Sequence, residues 1–109
     1  MPYRKVTAII RTEKLREVEK ALIEAGVDGM TVTGCKGFGQ YGDFFRQDFM
    51  MPHVRVEIFT STEKAEVLAR VVMDTAHTGT PGDGLVAILP VEQVYRIRTR
   101  QPANHEDIH

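Results

Sequence analysis

One cysteine, Cys35, stands alone in 109 residues. It has no partner for an internal disulfide, so the chain fits a reducing compartment such as the cytoplasm, and Cys35 itself reads as a small buried strand residue. No apolar run is long enough to span a bilayer, and residues 1–11 lack the apolar core and small-residue cleavage pattern of a secretory signal. A cationic excess is missing too: 14 Lys and Arg against 15 Asp and Glu leave a formal net charge of −1. That balance argues against nucleic acid as a partner, and only residues 96–100 are locally basic. Catalytic patterns are equally scarce. His53, His77, His105 and His109 do not have the spacing of a structural zinc site, and no serine occupies a nucleophile elbow. No Gly-Lys-Ser/Thr follows the glycines, which excludes a P-loop. These absences point away from an enzyme and from a metal site.

What is present suffices for one domain with one core. Residues 4–11 read as a central strand, with Val6, Ala8 and Ile10 on one side and Ile9 on the other. Thr12 is placed to cap a helix in which Leu15, Val18, Leu22 and Ala25 recur at helical spacing, and Gly26 ends it. Two half-buried strands follow as the arms of a long hairpin, the first across residues 29–39 and the second across residues 53–59. Thr60 and Glu63 have the spacing of a capping box for a second helix, whose face is Ala65, Leu68, Val72 and Ala76. Pro81 and the glycines of residues 78–84 make a loop, and residues 85–89 form an apolar strand expected inside the sheet. The order is β-α-β-β-α-β, an α+β ferredoxin-like sandwich with a short C-terminal strand.

Three features remain once that fold is counted. Helices cover only one face of such a sheet, so the apolar residues of the other face call for a homo-oligomer. Residues 40–52 carry Tyr41, Phe44, Phe45, Phe49, Met50 and Met51, a costly set to leave in water, and read as a projecting effector loop. Gly34, Gly37 and Gly39 at its root allow close approach to a ligand. Finally, Arg96, Arg98 and Arg100 alternate along what reads as an extended segment, while Gly82-Asp83-Gly84 offers an anion-binding turn. Together they describe a phosphate site.

The motifs Gly29-Met-Thr-Val-Thr, Lys36-Gly-Phe-Gly, Thr75-Ala-His-Thr-Gly, Gly82-Asp-Gly and Tyr95-Arg-Ile-Arg-Thr, in this order, resemble those of the PII nitrogen-regulatory signal proteins over residues 5–100. The resemblance implies a non-enzymatic homotrimer that binds an adenine nucleotide (ADP, AMP or ATP) in three intersubunit clefts and docks flexible loops onto transporters or enzymes. By position it puts Gly29, Met30 and Thr31 near ribose and adenine, and Gly37, Glu57 and Phe59 on the base side. Gly82, Asp83 and Gly84 would cradle phosphates, with Arg96 and Arg98 arriving from the adjoining subunit. Residues 1–100 form the domain, and residues 101–109 a polar tail.

The chain departs from the family in specific places. The uridylylation segment Tyr-Arg-Gly-Ala-Glu-Tyr is missing from a shortened loop, Leu85 replaces the phosphate lysine, and His53 replaces the lysine that holds 2-oxoglutarate. These departures resemble the short-loop branch associated with carboxysomes and inorganic-carbon transport. That branch implies bicarbonate ahead of 2-oxoglutarate, with Lys36, Arg46, His53 and Arg55 as the candidate anion set and a membrane transporter or other protein as the partner of residues 40–52. The alternatives are a nitrogen regulator sensing 2-oxoglutarate and ATP, a PII-like protein of metal transport, and, in a different class, a small metal-handling trimer or enzyme on the same fold.

Overall fold

The computed structural model describes residues 2–35 and 52–104. Alternation in β1 (Tyr3–Arg11) sets the layers: Val6, Ala8 and Ile10 are each 1% exposed, whereas Lys5, Thr7 and Ile9 on the opposite side are half-buried. β1 pairs antiparallel with β3 (His53–Ser61) on one side and β4 (Leu85–Val91) on the other, and β2 (Thr31–Cys35) pairs with the far edge of β3. The resulting four-stranded order, β2-β3-β1-β4, places β1 centrally and joins β2 to β3 as the expected hairpin. With α1 (Leu15–Glu24) after β1 and α2 (Thr62–Ala76) after β3, this is the ferredoxin-like arrangement.

Both helices bury the faces that their spacing specifies. Val18 and Leu22 from α1, and Leu68, Val72 and Ala76 from α2, pack on Ala8, Ile10, Val54, Val56 and Ile58 of the sheet. Burial of each large aliphatic side chain contributes about 1.5–3 kcal/mol, so this layer is the main source of stability. Gly26 closes α1 at φ 101°, with its N–H on the Ile23 carbonyl at 3.0 Å and the Val27 N–H on the Leu22 carbonyl at 3.0 Å. Those two bonds form a Schellman end, and only glycine takes that φ without strain.

The helix starts differ from the sequence expectation. Thr12 does not cap α1; a 3₁₀ turn (Thr12–Lys14) precedes it, and the Thr12 N–H donates to the Pro52 carbonyl at 3.3 Å. Ser61 rather than Thr60 occupies the cap position of α2, without a side-chain cap bond, and the Thr62 N–H donates to the Pro2 carbonyl at 2.9 Å. Backbone carbonyls from neighbouring segments satisfy these donors, so a hydroxyl is not needed.

The C-terminal part brings three more corrections. β4 lies at the sheet edge and is at most half-buried, with Leu89 40% exposed, because the helices leave its other face uncovered. The arginine segment is not extended. β5 (Tyr95–Arg96) and β6 (Gln101–Pro102) form a hairpin whose turn spans residues 97–100, with Arg100 at φ 58° and its N–H on the Arg96 carbonyl at 2.8 Å. Arg98 therefore sits in a turn. The segment expected as a tail from Gln101 begins inside the fold: Ala103 is 7% exposed and accepts the Tyr3 hydroxyl at 2.8 Å. Lys36, Gly37, Arg46 and all of the effector loop except Pro52 lie outside the described residues.

Candidate ligand-binding site

One cleft, of about 290 Å³, opens where the start of β2 meets the end of β3 and the β5–β6 hairpin. Its lining includes Gly29, Met30, Thr31, Glu57, Phe59 and Arg96, so six residues expected around a nucleotide converge in one place. Tyr95 and Phe59 are 64% and 49% exposed and offer aromatic surface beside it. Glu57 is a carboxylate acceptor of the cleft. Lys5 Nζ lies 2.6 Å and Arg55 Nε 3.5 Å from its carboxylate. The bond from Lys5 holds the Glu57 carboxyl below the usual range against the effect of burial, with the charges of Lys5 and Arg55 adding to it. An ionised acceptor next to aromatic surface suits a flat heterocycle with an exocyclic amine.

Residues 78–84 form the second candidate half-site. The loop turns through φ 86° at Gly79, 97° at Gly82 and 104° at Gly84, a path only glycine follows without strain. Asp83 organises it from within. Its carboxylate accepts the N–H groups of Thr78 and Gly79 at 2.8 and 2.9 Å and the Thr78 hydroxyl, and lies 3.3 Å from Arg11 Nε. Burial acts to raise the Asp83 pKa, yet the bonds from Thr78, Gly79 and Arg11 prevail and hold it well below the usual carboxylate range. The Asp83 side chain is thus a brace for the loop.

Arg11 is the loop-bracing residue that sequence reasoning passed over. It ends a strand with an apolar centre, is 7% exposed, and donates through Nη2 to the Pro81 carbonyl at 2.6 Å and to Thr80 Oγ1 at 3.0 Å. A long cation directly after the apolar run of residues 8–10 was the one available signal. His53 was expected to face an anion. Instead it is 2% exposed, with Nε2 donating to the Gly82 carbonyl at 3.0 Å. Arg55 lies on the sheet face away from the helices, beside Glu57. Cys35 is half-buried at the end of β2; burial pushes its thiol up, with Arg55 pulling the other way.

The two half-sites stand at opposite ends of β3. Glu57 and Phe59 line the cleft and His53 holds the glycine loop, a separation of four to six residues or roughly 13–20 Å of strand. Arg96 belongs to the cleft end.

A ferredoxin-like fold that carries an acceptor-lined cleft and a braced glycine loop is the class of structure in hand, and the two features are its candidate places for a small ligand. The family model for nitrogen regulatory protein P-II matches residues 3–101. The nitrogen regulatory proteins P-II of Azospirillum brasilense and Rhizobium meliloti are 40% and 41% identical over 104 residues, covering 88% of this chain and 92% of each relative. A crystal structure of Arabidopsis thaliana PII bound to citrate superposes with a TM-score of 0.78 at 31% identity, covering 94% of this chain and 89% of that one. This chain belongs to the P-II family. Its members are regulatory signal transducers and not enzymes.

Proposed function

We propose that the chain assembles as a homotrimer and binds an adenine nucleotide (ADP, AMP or ATP) in each of three clefts between subunits. In each cleft one subunit gives Gly29, Met30, Thr31, Gly37, Glu57, Phe59, Arg96 and Arg98, and its neighbour gives the loop of Gly82, Asp83 and Gly84. The placement of the two half-sites toward opposite ends of β3 supports this reading, because two copies of the chain can bring the cleft of one against the glycine loop of the other. The sheet face of Lys5, Thr7, Ile9, Leu85, Ala87 and Leu89, which the helices leave open, supports the assembly. Leu85 in place of a lysine favours ADP or AMP over ATP.

The second ligand proposed is a small anion such as bicarbonate, near Lys36, Arg46 and Arg55, which fixes one conformation of residues 40–52 for docking on an inorganic-carbon transporter or related protein. The Arabidopsis relative bound to citrate supports a small carboxylate-like anion as the class. Calorimetry tests the whole reading. Wild type binds ADP, Arg98→Ala weakens it by about 1.5–3 kcal/mol, and bicarbonate at constant ionic strength and pH raises ADP affinity by the factor linkage requires. Absence of ADP binding, or an unweakened Arg98→Ala, overturns the nucleotide site. A shift with 2-oxoglutarate and none with bicarbonate overturns the anion.

A further inference from the structure

Arg11 and His53 face each other across the β1–β3 ladder as a register pair, and both reach the glycine loop. We propose that they are positioning residues, a buried latch that presets residues 78–84 as a phosphate receptor without either side chain being a phosphate ligand. The proposal rests on the nucleotide reading above and adds to it the origin of the receptor's shape.

Three successive loop residues are held from the two central strands. Arg11 Nη2 donates to Thr80 Oγ1 and to the Pro81 carbonyl, and His53 Nε2 donates to the Gly82 carbonyl. A carbonyl only accepts, so the His53 hydrogen sits on Nε2. Arg11 Nε reaches Asp83, whose carboxylate collects the Thr78 and Gly79 N–H groups from the other side. Loop and strands therefore close one network from Thr78 to Asp83. A turn with three glycines at positive φ has many alternatives when unbraced, and binding would have to suppress them; fixing it beforehand removes that penalty. At 7% and 2% exposure, Arg11 and His53 lie beneath the loop and not on its surface. The planar guanidinium reaches three acceptors at once, which an ammonium on a flexible stem cannot reproduce. His53 also opens β3 immediately after Pro52, so the latch ties the glycine loop to the strand that leads out of the effector loop.

The experiment uses Arg11→Lys, which keeps the charge and loses the fork. Amide exchange at Thr78 and Gly79 is measured without ligand, and ADP and adenosine are titrated in parallel. The latch predicts about tenfold faster exchange at both amides, an ADP affinity lowered about tenfold or more, and unchanged adenosine affinity, since adenosine uses the cleft half alone. Wild-type ADP affinity with unchanged exchange would mean that charge alone suffices and overturns the proposal. Equal losses for ADP and adenosine overturn it as well, because they report general damage. If wild type binds no ADP, the nucleotide reading fails on its own, and unchanged exchange in Arg11→Lys then overturns the latch separately. Should Arg11→Lys not fold, Thr80→Val removes one exposed hydroxyl from the network. About threefold faster exchange at Gly79 supports the latch, and an unaltered rate overturns it.

Discussion

Replacing Asp83 with asparagine removes one charge at nearly constant volume and so isolates the brace of the glycine loop. The carboxylate receives two backbone N–H groups and a hydroxyl and pairs with Arg11, with side-chain exposures of 24% for Asp83 and 8% for Arg11. An asparagine oxygen retains two neutral bonds, but the pairing with Arg11 and one further charge-assisted bond are lost. Each such bond is worth roughly 1.5–3 kcal/mol, and the partial exposure of Asp83 reduces the sum, giving about 2–3 kcal/mol per protomer at pH 7. The pH dependence follows from the direction of the shift. The folded-state pKa of Asp83 is depressed, so the folded state favours the ionised form. Its contribution is complete above the unfolded aspartate value of about 3.9 and disappears as pH falls through and below it. Urea denaturation of wild type and Asp83→Asn at one fixed protomer concentration, from pH 7 to pH 3, should give curves that are separated at pH 7 and whose gap narrows by about 1 kcal/mol at the acid end, because the depressed folded-state pKa leaves the rest to be lost below pH 3. A gap that stays constant with pH would refute the electrostatic brace, and so would no gap at neutral pH.

Two further substitutions test the packing that carries the site. Leu68→Ala empties a position 1% exposed between α2 and the sheet and should cost about 2–5 kcal/mol in chemical denaturation. Tyr3→Phe deletes the buried bond to the Ala103 carbonyl and should cost about 0.5–1.5 kcal/mol, with faster amide exchange confined to residues 94–103.

The fold was written in the sequence where one local period decided it. Val6, Ala8 and Ile10 at period two, and Leu68, Val72 and Ala76 at helical spacing, specify which faces meet, and they do meet. Residues 85–89 show the limit of that reasoning: an apolar strand signals two apolar faces, and in one protomer β4 nonetheless lies at the edge, half-covered. The alternation of Arg96, Arg98 and Arg100 was equally misleading, because a turn closed by the Arg100 N–H overrides the strand period. Of the candidate site, the cleft residues were recognisable from motif order. The bracing of the glycine loop was not, since Arg11 is 72 positions from Asp83 and only the β1–β4 pairing brings them together. The same tertiary contact converts His53 from an expected anion ligand into a buried donor.

The central claim is that each ligand site is assembled from two chains, and mixed trimers test it most directly. Arg98→Ala impairs the cleft half and Gly84→Ala, at a glycine with φ 104°, impairs the loop half. Each variant alone should bind ADP poorly. Co-refolded in equal amounts, they should regain about one tight ADP site per mixed trimer, because a closed ring of unlike subunits contains one junction between an intact cleft and an intact loop. Calorimetry of the mixture that recovers no tight site, or sedimentation that finds a monomer at micromolar concentration, would contradict the account.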